Sequence, residues 1–161
     1  MAENKENDGI EITSEELIAA AVYVRTNGLL SILNDDLKEE AQLSMGPNGL
    51  PCIDAVVGGL GCRISYFPVG DEETDRFILM IRVAVLPGDE ASDHTKRLLS
   101  CETYNVGSVF GTAVFIPTDG SVEFRVTVPE RGGMQEPSFY RFVLDMVING
   151  TSELADLLEE D

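Results

Sequence analysis

Tryptophan is absent from the 161 residues, histidine occurs once, and cysteine three times. Each shortage removes a class of chemistry. A serine or cysteine nucleophile needs an oriented base beside it, and the only imidazole on offer is His94, next to Asp93 where a helix should start. It reads as a solvated first-turn residue, and no catalytic residue is assigned. Cys52, Cys62 and Cys101 match no zinc spacing, so no metal site is expected. Their apolar neighbours suit small buried hydrophobes better than reactive thiolates.

Positive charge is equally scarce. Eleven Lys and Arg stand against 29 Asp and Glu, a formal net charge of −18. The basic residues are scattered from Lys5 to Arg141, and only Lys96-Arg97 are adjacent. Affinity for DNA, RNA and anionic lipid rests on pairing with phosphates, so neither a nucleic-acid nor a membrane partner is expected. No apolar run approaches the roughly 20 residues of a membrane span. The polar start, Met1 to Asp8, lacks the apolar core of a signal peptide. A reducing, cytoplasmic setting is the expectation.

Enough is present to build a fold. With 43% hydrophobic residues, a chain of this length fits one domain and can bury about 70% of its unfolded surface. Residues 1–12 read as a disordered acidic lead-in and 13–161 as a single domain. Thr13 and Glu16 form a capping-box pattern, followed by Leu17, Ala20, Ala21 and Val24 on one helical face and a stop at Asn27-Gly28. Residues 29–40 suggest a second short helix. Glycine- and proline-rich turns then separate strands at about 51–57, 60–67 and 76–86. Asp93 caps a helix reaching Tyr104. The clearest pattern is a hairpin, Val109 to Ile116 and Ser121 to Val128 around Thr118-Asp119-Gly120. Its second strand turns Val122, Phe124, Val126 and Val128 inward and Glu123, Arg125 and Thr127 outward. Pro137 opens a last helix with Phe139, Phe142, Val143, Met146 and Val147 at helical spacing. Asn149-Gly150 bends or ends it before Leu154, Leu157 and Leu158. The expected class is therefore α+β: an antiparallel five-stranded sheet with helices in the order α-β-β-β-α-β-β-α.

Two patterns invite a ligand and do not carry one. Gly58-Gly59-Leu60-Gly61 is glycine-rich, but a phosphate loop leads into a helix, and Cys62 to Tyr66 reads as strand. The carboxylates at Asp71, Glu72, Glu73 and Asp75, and at Asp89, Glu90 and Asp93, lack the spacing of a calcium loop. No cofactor is expected.

From about Leu98 onward the chain resembles the YbjN family of small bacterial proteins, often described as sensory transduction regulators. The resemblance rests on Tyr104-Asn105 at a helix end, Val109-Phe110-Gly111-Thr112-Ala113-Val114, Asp119-Gly120, Val122-Glu123-Phe124-Arg125-Val126, and a glycine-rich approach to the final helix. It implies a fold similar to type III secretion chaperones, in which a curved antiparallel sheet packs against helices, often within a homodimer. It further implies a non-enzymatic protein-binding module of the bacterial cytosol, chaperone-like or a regulatory adaptor. A small enzyme with an unrecognised site and a structural domain without peptide binding are the alternatives.

One surface is singled out. In residues 76–86 the odd positions are apolar, as a core face should be, yet Ile78, Met80, Ala84 and Leu86 are apolar too. Phe110, Val114 and Ile116 extend that second face in the next hairpin. Leu154, Leu157 and Leu158 are further interface candidates. Monomers rarely leave such patches bare, so a second subunit or a protein partner is expected there. For nucleic acid the expectation is the reverse. A gel-shift assay near physiological salt should show no complex with DNA or RNA, and a complex that weakens steeply with added salt would overturn that reading.

Overall fold

Thr13 starts the first helix as its capping box predicts. Its hydroxyl accepts from the Glu16 N–H at 3.2 Å, and the Glu16 carboxylate accepts from the Thr13 N–H at 2.8 Å. The computed structural model describes residues 9–70 and 74–160. Within them the elements run α1 (Ser14–Ser31), β1 (Glu40–Met45), β2 (Pro51–Val57), β3 (Leu60–Pro68), β4 (Arg76–Leu86), α2 (His94–Gly107), β5 (Thr112–Ile116), β6 (Ser121–Arg131) and α3 (Pro137–Glu159). Of the acidic lead-in, residues 1–8 lie outside the described residues, and residues 9–12 have no regular secondary structure.

The sheet is antiparallel throughout, in the order β1-β2-β3-β4-β6-β5. The α+β class and the three helices are as expected. The sheet has six strands rather than five and the order is α-β-β-β-β-α-β-β-α, because Glu40–Met45, where no strand was expected, pairs with β2; residues 29–40 form no separate second helix. Helix α1 runs through Asn27-Gly28, a π turn follows at Ile32–Asp36, and β1 begins at Glu40. Gly28 does not stop α1; a Cβ there would come within 3.3 Å of Met134. Strand β5 begins at Thr112 rather than at Val109.

One face of the sheet holds the core. Ile53, Ala55 and Val57 of β2 line it with Ile64 and Tyr66 of β3, Phe77 to Val83 of β4 in alternation, and Val122, Phe124 and Val126 of β6. All three helices pack there: α1 on β2 and β3, α3 on β4 and β6, and α2 on β5. Helix α1 meets the sheet through Val22, Arg25, Thr26 and Leu29, joined by Leu33 of the π turn; of the face expected to be core, Ala21 packs inward while Leu17, Ala20 and Val24 point to solvent. With its π turn it forms a helix, Ser14–Asp36, long and apolar enough to cross a membrane by length and composition alone. No single run shows this, because polar residues interrupt the apolar ones.

Both edges of the sheet carry the same device. The Asn34 side chain donates to the Ala41 carbonyl and accepts from its N–H, each at 3.0 Å, against edge strand β1. Asn105 repeats both bonds with Ala113 of edge strand β5, at 2.9 and 2.8 Å. Each amide side chain occupies backbone groups that a further strand would otherwise use.

Phe124 is completely buried, and two glycines make room for it. A Cβ on Gly150 would lie 2.4 Å from the Phe124 ring, so the apparent break in α3 is a close-packing position inside an unbroken helix. Gly111, at φ +78°, covers the same ring, and a Cβ there would lie 2.3 Å from it. Tyr104 meets it edge-on at 5.9 Å. Gly150→Ala should therefore cost about 1–3 kcal/mol by overpacking, although alanine is the better helix former. Phe124→Ala should cost about 3–5 kcal/mol. In urea unfolding the double variant should lose clearly less than the two single losses added; additive losses would remove this contact from the account.

Candidate functional site

The opposite face of the sheet carries no helix among the described residues. Strand alternation puts Phe67 of β3, Ile78 and Met80 of β4, and Val114 and Ile116 of β5 on it, all partly exposed or more. Ser65, Thr127 and Pro129 flank Phe67, Ile78 and Met80. This surface is therefore apolar in patches and uncovered by any helix or strand among the described residues.

Across its middle runs a row set by register. Asp54, Arg63, Arg82, Arg125 and Thr112 stand directly opposite one another on β2, β3, β4, β6 and β5. The row thus contains three guanidinium groups on adjacent strands. Asp54 takes Arg63 as a fork, Nε to Oδ1 at 3.0 Å and Nη2 to Oδ2 at 3.4 Å. That hydrogen bond holds the Asp54 carboxyl below the usual carboxylate range. Glu123 takes Arg125 at 2.8 Å. Beside the row lies a groove of about 870 Å³, floored by Gly61 and Ala84 and bordered by Asp54, Arg63 and Arg82. A second depression of about 210 Å³, under the β1–β2 loop at Gly46-Pro47-Asn48, shares Arg63 and Arg82 with it.

The expected interface residues separate into two groups. Ile78 and Met80 lie on the bare face on one side of the arginine row, and Val114 and Ile116 on the other, so the expected contiguous patch is divided. Phe110 precedes β5 and packs against the core, Leu154 is wholly buried, and Leu157 and Leu158 are half-buried against the same core. Leu154 therefore has no surface to present, because the uninterrupted α3 carries it back over the sheet. The arginine row was not singled out from the sequence. The alternation that turns Arg125 outward was visible, but its alignment with Arg63 and Arg82 depends on pairing between distant strands.

The residues with reactive chemistry are engaged elsewhere. Burial pushes the Cys62 thiol up to about 11, and burial raises Cys101 as well. His94 packs edge-on against Phe115 at 5.8 Å, and its Nε2 lies 3.1 Å from the Asp89 carbonyl. Gly58-Gly59, both at positive φ, close the β2–β3 hairpin. Asp93 caps α2 at the Lys96 N–H, and Asp75 pairs with Arg131 at 3.6 Å. Asp71, Glu72 and Glu73 lie outside the described residues. Among the described residues, no group of three or more His, Cys, Asp or Glu side chains is placed to hold a metal ion.

On the core side an ionic cluster is sealed. Arg25 of α1 lies 3.3 Å from Glu130 of β6, their side chains 7% and 1% exposed. Arg25 also donates to the carbonyls of Gly132 and Gly133, and its guanidinium stacks over Phe77 at 4.8 Å and Tyr66 at 5.2 Å. Tyr140 of α3 donates to the same carboxylate oxygen at 2.6 Å. Burial, then the Glu130 carboxylate, raises the Tyr66 pKa; burial and the bond to Glu130 raise that of Tyr140. Perturbed groups of this kind mark active sites when they face a cleft; here all four side chains are buried, and Tyr66 alone also borders the depression under the β1–β2 loop.

No family model matches the chain, and no curated protein matches it.

The sealed cluster gives a direct test of its structural role. Arg25→Leu leaves a buried carboxylate without its cation and should cost about 3–5 kcal/mol. Adding Glu130→Gln should recover part of that loss. Equilibrium unfolding measures both, and an Arg25→Leu variant as stable as wild type would show that the pair does not hold α1 in place.

Proposed function

We propose that this chain is a non-enzymatic protein-binding module of the cytosol, chaperone-like or regulatory, which receives its partner on the helix-free face of the sheet. The observation that carries the reading is the asymmetry of the sheet. Three helices cover one face, while Ile78, Met80, Val114, Ile116 and Phe67 stay partly open on the other. Apolar surface of this kind on a small domain marks an interaction site. The edges favour the face as the docking place: Asn34 and Asn105 already occupy backbone groups of β1 and β5, which hinders strand addition.

The chemistry of the remaining residues supports binding over catalysis. The thiols at Cys62 and Cys101 are held in their neutral form by burial, and His94 is used in packing. A bacterial, YbjN-like identity belongs to the same proposal and rests on the motifs between Tyr104 and Val126.

Met80→Glu combined with Val114→Glu tests it. The double variant should keep the wild-type circular dichroism and thermal midpoint, because neither side chain belongs to the core. It should lose capture of extended apolar peptides from a display library, or drop in light-scattering mass where the wild type is a dimer. Unchanged capture and mass, or global unfolding of the variant, would sink the reading.

A further inference from the structure

Like charges directly opposed on neighbouring strands destabilise a sheet. This chain has 11 basic residues against 29 acidic ones, yet three arginines stand side by side across β3, β4 and β6. Asp54 and Glu123 offset the outer two. Arg82, partly buried between them, has no hydrogen bond or ion pair among the described residues. It borders both depressions of the bare face. A central guanidinium that repels its neighbours and bonds to nothing among the described residues is arranged for a further ligand.

We propose that Arg82 anchors one carboxylate, an Asp or Glu side chain on an extended and otherwise apolar segment of a partner protein. This inference rests on the protein-binding reading of the same face. The guanidinium fork matches a carboxylate bidentately. A phosphate or a polyanion fits poorly, because Glu39, Glu40, Asp54 and Glu123 line the same groove and oppose any further negative charge beyond one. The groove's shape favours a chain that passes through. It crosses from Glu40 on β1 to Glu123 on β6 over a floor of Gly61 and Ala84. Four strand spacings make about 19 Å, the reach of about six extended residues. Its volume of about 870 Å³ lies within the range of roughly 300–1,000 Å³ typical of ligand clefts. Apolar neighbours of the carboxylate would lie over Val56 and Ala84, which line the groove beside Arg82.

The test uses the full chain and defined probes. Labelled peptides of about six residues, acetylated, amidated and rich in Val and Thr, carry one central Asp, or Asn or phosphoserine in its place. Fluorescence anisotropy follows their binding. On the wild type the Asp peptide should bind at least about tenfold tighter than its Asn counterpart, as expected of a charge-assisted fork, and phosphoserine should bind less tightly than Asp. Arg82→Gln should level Asp with Asn. Its unfolding midpoint should hold at or above wild type, since a repulsion has been removed. A preference for Asp that survives Arg82→Gln overturns the anchor, and so does a lowered midpoint, which would mark a structural guanidinium. Tightest binding by phosphoserine would make the site a phosphate site instead. Equal binding of Asp and Asn peptides, both lost in Met80→Glu, would end the anchor and leave the binding face standing. No binding by any peptide would remove both.

Discussion

The guanidinium of Arg25 is the point on which the helical layer turns. It joins α1 to the Glu130 carboxylate at the end of β6 and to the carbonyls of Gly132 and Gly133 in the loop before α3. Phe77 and Tyr66 stack beneath it. Tyr140, on α3, shares the carboxylate. One buried pair therefore fixes two helices against three strands. A buried ion pair of this kind is costly to desolvate and more costly to break, so its contribution lies in selecting one arrangement of α1 over others of similar apolar content.

That selection matters because α1 is apolar nearly all round. Leu17 to Val24 is an unbroken apolar stretch, and hydrophobic burial alone would accept several rotations of the helix. The rotation adopted buries Arg25 and Thr26 and leaves Leu17, Ala20 and Val24 outside. Thr26 is accommodated by donating to the Val22 carbonyl one turn back, at 2.7 Å. With all three helices committed to one face of the sheet, the other is left to the arginine row and its apolar flanks. The bare face and the sealed cluster are thus two sides of the same arrangement.

Parts of the architecture were legible residue by residue. Strand alternation at 122–128 and the capping box at Thr13 and Glu16 act over a few positions, and the structure places both as expected. The missed strand β1 did carry a signal: Ala41, Leu43 and Met45 share one face and Glu40, Gln42 and Ser44 the other. The charge just before it hid that alternation. Gly28 and Gly150 were read as breaks because glycine disfavours helix. Each is instead a contact point, Gly28 against Met134 and Gly150 against Phe124, and the partners lie far off in the chain.

The sequence by itself determined the class of the fold, the β4 strand and the β5–β6 hairpin, the apolar character of both faces of β4, and the shortage of positive charge. These follow from periodicity and composition, which act locally or as sums over the chain. Only the tertiary structure decided which side of α1 turns inward, that Arg25 is a buried partner of Glu130, and that Arg63, Arg82 and Arg125 form a single row. Each of those depends on register between segments separated by tens of residues. Alternation and turns fix register within a hairpin, but the pairing of β4 with β6, across α2 and β5, is settled only by the packed sheet.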